Sequence, residues 1–281
     1  MKKIFTILAL ICIGMKGFSQ QDSTTQKKDS VMHHHHGKDW NHWEEWDKED
    51  HHGMMPPWPM PPHWRNNHVK PSNISTNWLI LDLGFTNYND KSNYAGTTMQ
   101  TFAPGSQSYW FTLNTKKSVD VNIWLFMQRL NVYKHVINLK YGLGIELNNY
   151  RYQTNIKYLT NPTEVVMDTI TYTKNKLAAD YATIPLMINF NFTPSLREGF
   201  GVSVGISAGY LYSSRQKLIS NQFGKHKTFN TLDLDPWKLS WIAEVQLGPL
   251  KLYGSLATKT MYNNQGPDQT PYTFGLRFSN W

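Results

Sequence analysis

The sequence predicts an all-β chain: a closed eight-stranded antiparallel transmembrane β-barrel preceded by a disordered N-terminal tether. Three observations lead there. Apolar and small polar residues alternate strictly beyond residue 76, the connections between these segments are alternately short and long, and the N-terminus is laid out like an export signal.

The alternation is clearest in FGVSVGISAGYLYS. Phe200, Val202, Val204, Ile206, Ala208, Tyr210 and Tyr212 fall on one face, and Gly201, Ser203, Gly205, Ser207 and Gly209 on the other. INLKYGLGIELN sets Ile137, Leu139, Tyr141, Leu143, Ile145 and Leu147 against Asn138, Lys140, Gly142, Gly144, Glu146 and Asn148. YTFGLRFS repeats the arrangement, with Tyr272, Phe274, Leu276 and Phe278 on the apolar side. Segments of this kind number eight, at 78–88, 118–131, 135–152, 177–192, 200–214, 238–247, 250–260 and 271–281. Their second, fourth and sixth connections are short, NVYK, TPSLREG and the turn at Gly248 and Pro249, whereas the other four are longer. An even strand count with short turns at one end and long loops at the other is the pattern of an outer-membrane barrel.

A soluble barrel would alternate too, with its charged face outward, so the polar face decides which solvent surrounds the chain. Here that face is Gly, Ser, Asn and Thr with isolated charges at Asp82, Asp120, Lys140, Glu146, Glu244 and Arg277, which suits a crowded lumen better than a wet surface. The apolar face therefore meets lipid. Trp78, Tyr88, Tyr150, Tyr152, Tyr212, Trp237, Trp241, Tyr272 and Trp281, near segment ends, are expected to form the interfacial girdles. Eight strands enclose just enough space for their own side chains, so a plug is expected and not a pore. The first and last strands adjoin on closure, and Asp82 with Arg277 is the expected lumen charge pair.

The opening MKKIFTILALICIGMKGFSQ has two lysines, an apolar run from Ile4 to Met15 and small residues before Gln20, so residues 1–19 are expected to be a cleaved signal peptide. The run falls short of the roughly 18 to 20 apolar residues that cross a bilayer. Cys12, the only cysteine, follows the bulky Ile11, which argues against lipidation and leaves the mature chain without thiol chemistry. Residues 20–76 have few aliphatic residues, many prolines and no sustained period, and are expected to be a disordered periplasmic tether, with the barrel at 77–281. The tether carries six basic and eight acidic residues and the barrel nineteen and twelve, so the positive charge belongs to the barrel. In an exported chain that charge points to the phosphates of lipid and lipopolysaccharide and away from nucleic acid.

NLKYGLGIELNNYRY, KLAADYATIPLMINFNF, GVSVGISAGYLYSSR and the terminal PYTFGLRFSNW together resemble the PorT-like outer-membrane β-barrel proteins of Bacteroidetes. The likeness covers 77–281 and leaves the tether outside it. It implies an outer-membrane location and, for some members, association with protein secretion; it carries no catalytic motif. Trp281 looks like a recognition signal for the barrel-assembly machinery, yet Phe278, Leu276 and Phe274 are out of phase with it.

Nine of the eleven histidines lie between His33 and His68. His33, His34, His35, His36, His42, His51, His52 and His63, with the thioethers of Met54 and Met55, are candidate ligands for Cu, Zn or Ni. Their spacing is not that of a closed zinc site, so a metal-capturing tether, a pH-responsive tether and a merely solvated one all remain open. PPWPMPPHW reads as a polyproline-like spacer or a segment that docks an envelope partner. Enzyme activity is not expected: His135 falls in a short turn, and His226, with Asp233 and Asp235 nearby in sequence, is flanked by lysines. Arg215, Lys217, Lys225 and Lys227 of the fifth connection are expected to contact lipopolysaccharide phosphates.

Overall fold

The computed structural model describes residues 71–196, 199–263 and 266–279. The expected export signal, nearly all of the expected tether with its histidine and methionine candidates, and Trp281 lie outside the described residues.

Eleven strands follow one another: β1 (Ile74–Asp90), β2 (Val119–Tyr133), β3 (Ile137–Tyr152), β4 (Ile156–Thr160), β5 (Thr163–Met167), β6 (Lys174–Asn191), β7 (Phe200–Ser220), β8 (Gly224–Phe229), β9 (Trp237–Leu247), β10 (Leu250–Ala257) and β11 (Gln269–Phe278). Eight of them form one ring, β1-β2-β3-β6-β7-β9-β10-β11, closed by the antiparallel β1–β11 ladder. The segments expected from alternation are these eight. β4 and β5 form a separate hairpin in the connection after β3, and β8 pairs with the far end of β7. β1 starts at Ile74, four residues before the expected segment at 78–88: Ile74, Ser75 and Thr76 pair with Leu130, Arg129 and Gln128 because β2 runs that far. Among the described residues no helix is long and apolar enough to cross a membrane.

The connections β2–β3, β6–β7 and β9–β10 define a turn end, where β1 begins and β11 finishes. Lys134 and His135 take positive φ there, 45° and 58°, and the Asn131 side chain accepts the His135 backbone N–H at 2.7 Å. His135 is thus a turn residue. Gly248, at φ 63°, supplies the same reversal between β9 and β10.

Alternation and burial agree along the wall. In β3 every even residue from Asn138 to Tyr152 is buried and every odd one is partly exposed. The buried set is small or polar and the outward set apolar, the reverse of a soluble protein. Ile184, Leu186, Ile188, Val204, Ile206, Leu239, Leu252 and Phe274 stand exposed on the outer wall. An apolar belt of that extent is far beyond what a monomer carries in water.

The long connections fold at the loop end. A short helix α1 (Thr97–Phe102), the β4–β5 hairpin and the residues around Leu232 and Tyr262 collapse onto the wall residues Tyr88, Tyr150, Tyr152 and Leu177 as one buried cluster. This corrects the expected girdle. Tyr88, Tyr150 and Tyr152 are inward residues of the cap, because they sit on the polar phase of β1 and β3, whereas Trp78, Tyr212, Trp237 and Trp241 do face outward. Tyr210 and Trp237 meet edge to face on that outer surface, ring centroids 5.0 Å apart.

The fifth connection is also shorter than expected. β7 runs to Ser220, so Arg215 and Lys217 lie on a strand and Lys225 and Lys227 on its partner β8.

Ile206→Arg, midway up the belt on β7, is expected to destabilise the barrel by about 2–4 kcal/mol in vesicles, as a cation does at a bilayer midplane. Ser207→Ala, one residue away but inward, is expected to cost about 1 kcal/mol or less. Denaturant unfolding of both variants in lipid vesicles checks the contrast.

Candidate functional site

The lumen is where this chain concentrates its chemistry. Register brings the first and last strands together with Asp82 opposite Arg277. Arg277 Nε donates to Asp82 Oδ1 and Nη2 to Oδ2, both at 2.7 Å, a two-pronged charge-assisted contact. The third guanidinium nitrogen, Nη1, donates to Glu244 Oε2 at 2.6 Å. Glu244 Oε1 then accepts Lys140 Nζ at 2.6 Å, and the same ammonium donates to Ser203 Oγ at 3.1 Å. The chain of bonds passes on through Asn189 to Asn138. Four charged groups from β1, β11, β9 and β3 thus form one alternating array across the barrel, with Asp82 fully buried.

Aromatic groups close the array. Trp124 Nε1 donates to Asp82 Oδ2 at 2.7 Å, and the rings of Trp124 and Tyr253 lie 5.6 and 5.8 Å from the guanidinium carbon of Arg277. Small residues make the room. A Cβ at Gly144 would sit 2.6 Å from the Trp124 ring, and one at Gly84 2.6 Å from the Tyr253 hydroxyl. The glycines of the polar face are therefore the space in which the large lumen side chains lie.

A second tier lies nearer the loop end. Lys238 Nζ on β9 donates to Glu146 Oε2 on β3 at 2.8 Å and reaches Asn148 Oδ1 at 3.5 Å. The two tiers join the same pair of strands with opposite polarity: Lys140 to Glu244 below, Glu146 to Lys238 above. Since β3 and β9 are not neighbours in the ring, both pairs brace the lumen across its width. Tyr253 adds a 2.5 Å hydrogen bond to Asp120 from the far wall.

Above this tier stands the cap. The hydroxyls of Tyr152, Tyr158 and Tyr262 form a chain, 2.8 and 2.6 Å long. Gln216 of the wall accepts the Tyr158 backbone N–H at 2.9 Å and donates to Asn175 and to the Ile156 carbonyl, which fastens the β4–β5 hairpin to the ring. Burial, reinforced by the Tyr152 hydroxyl beside them, holds Tyr158 and Tyr262 well above the usual phenol range, so the chain stays neutral at any physiological pH.

Of the residues expected from sequence to carry a site, the structure places Asp82 and Arg277 in direct contact. The ten candidate metal ligands of the tether lie outside the described residues. Among the described residues no group of three or more His, Cys, Asp or Glu side chains stands ready to hold a metal ion. His226 is an exposed residue of β8, and Asp235 is engaged by the backbone N–H of Trp237. The bridging role of Glu244 and the Lys238–Glu146 brace were not visible in sequence. The only available signal was that Glu146, Glu244 and Lys238 all sit on the small polar phase, and the level at which each meets its partner depends on strand stagger.

This arrangement defines a class before it defines a family: an inside-out barrel with a lipid-facing exterior and a charge-paired interior. The family described as outer membrane protein beta-barrel domain matches residues 83–263, well over half of the chain, and the chain belongs to that family. No curated protein matches the chain.

Lys238→Met is expected to cost about 3–5 kcal/mol by leaving Glu146 buried and unpaired, while Lys238→Met with Glu146→Leu recovers most of that loss. A double-mutant cycle on unfolding free energy measures the coupling. Gly144→Val is expected to cost about 1–3 kcal/mol by overpacking against Trp124, read in the same assay.

Proposed function

We propose that this chain is a non-enzymatic, non-conducting outer-membrane barrel with a structural or envelope-interaction role, PorT-like and accessory to an envelope complex such as a secretion apparatus. One observation carries the reading: at mid-height the lumen is filled by large side chains whose charges pair across it. Beside Asp82, Trp124 and Arg277 the free cavity is only about 20 Å³, room for a single water molecule and not for a solute. Ion-pair tiers cross the lumen and the aromatic cap closes the loop end, so the barrel offers the membrane a rigid body and its surroundings two surfaces. The short turns face the periplasm and the long loops the outside, which puts the tether on the periplasmic side, where its Trp- and Pro-rich stretch can meet a partner.

A planar-bilayer recording of the purified protein tests this directly. A silent trace is expected; discrete conductance steps from the wild-type chain would sink the non-conducting reading.

The histidine run supports a second reading, in which the tether captures Cu, Zn or Ni for the barrel. Calorimetric titration of the mature protein against a form lacking residues 20–70 separates the two. Weak, unselective binding is expected, and submicromolar binding selective for one metal, confined to the full-length form, would favour the metal reading.

A further inference from the structure

Charge at the loop end is segregated. Asp90, Asp233, Asp235 and Asp268 lie on the side of β9, β10, β11 and β1, accompanied by Lys91 and Lys259. The opposite side carries the cations of β3, β6, β7 and β8 and has three acids of its own, Glu164, Asp168 and Asp180. Register shows how closely they are set: Arg151 lies opposite Lys176, Lys176 opposite Lys217, and Lys217 opposite Lys227. Residues directly opposite in an antiparallel ladder share a face, so this is one outward row of four cations across four strands.

A β-bulge creates it. The β6–β7 register shifts between Asp180 and Tyr181, which skips Tyr212. Below the shift the even residues of β7 face outward, Val204, Ile206 and Tyr210, while above it the odd ones do, Arg215 and Lys217. Without the skipped residue, Gln216 and Leu218 would face out and Lys217 would be driven inward.

Like charges placed directly opposite destabilise a sheet. Among the described residues the ion pairs of this face are Arg215 with Asp180 and Lys157 with Asp168, neither of which neutralises the row. Burial, then Lys174, Arg215 and Lys217, push the Lys176 ammonium down to about 8; it stands six residues beyond Ala182, where the outward apolar run of β6 ends. A multivalent anion seated on the row relieves that repulsion.

We infer that the outer face of β3, β6, β7 and β8 is a binding site for the phosphate groups of the outer-leaflet glycolipid. Height selects this source. Tyr210, Tyr212 and Trp237 mark the interface just below, and Lys217 stands five residues past Tyr212, about 12 Å above it for a tilted strand. That is the level of a phosphorylated sugar headgroup whose acyl chains lie on the apolar wall. The glycolipid assignment rests on the outward orientation of the loop end proposed above. Retention in micelles does not depend on orientation, so its failure rejects the site alone, whereas labelling of a loop cysteine on intact cells reads the orientation separately.

The test uses the full mature protein in detergent, titrated with bisphosphorylated lipid A, dephosphorylated lipid A and inorganic phosphate at physiological salt. Wild type should retain the bisphosphorylated form at least tenfold more tightly than the dephosphorylated one. K176Q/K217Q/K227Q should lose that preference, K176R/K217R/K227R should keep it, and K91Q/K259Q on the opposite side should leave it unchanged. Equal retention by the triple Gln variant and wild type, or an equal loss in K91Q/K259Q, overturns the site. Binding of inorganic phosphate as tight as that of lipid A, lost in the same triple variant, overturns the lipid as its source.

Discussion

The β1–β11 seam is the constraint on which the rest of this structure depends. In hydrocarbon an unpaired strand edge leaves backbone N–H and C=O groups unsatisfied at several kcal/mol each, so the sheet has to close. Closure joins the first strand to the last through ten register pairs, from Leu81 with Phe278 to Asp90 with Gln269. Arg277 stands at that seam, gripping Asp82 on the neighbouring strand and Glu244 on the strand beyond β10. The contact spans the most distant parts of the chain, and its geometry exists only once the ring is complete.

Closure turns the usual distribution of residues inside out. A narrow ring has no volume for an apolar core of ordinary thickness, so the lumen holds small residues with a few long polar ones. Each buried charge then needs a partner, because an isolated one is strongly destabilising. The reciprocal pairs Lys140–Glu244 and Lys238–Glu146 meet that need by reaching across the lumen between β3 and β9. Their opposed polarity also guards register: a slipped β3 or β9 would bring Lys140 toward Lys238, or Glu146 toward Glu244. The glycines beside Trp124 and Tyr253 are the counterpart of these long side chains.

The apolar core that the lumen lacks is rebuilt at the loop end. Phe102, Phe111, Tyr158, Leu232 and Tyr262 come from four connections and pack on Tyr88, Tyr150 and Tyr152 of the wall. The long loops are therefore folded parts of the barrel. They seal it, fix the height of the β4–β5 hairpin, and leave the charged outer face of β6, β7 and β8 standing clear of the cap.

Amino-acid order alone determined the eight spanning segments, their alternate short and long connections and the face that meets lipid, because side chains alternate with period two and a bilayer selects one phase of that period. It also indicated that Asp82 and Arg277 belong to adjoining strands, since closure leaves the free edges of the first and last strands no other partner. Tertiary structure decided the rest. Stagger around the ring, which no local pattern encodes, set which lysine meets which carboxylate across the lumen. Tyr88, Tyr150 and Tyr152 hold the inward phase of β1 and β3, and packing of the loops made them part of a buried cap where a girdle was expected. One skipped residue at Tyr212 reversed the facing of the strand above it, and so put Arg215 and Lys217 on the outside of the barrel.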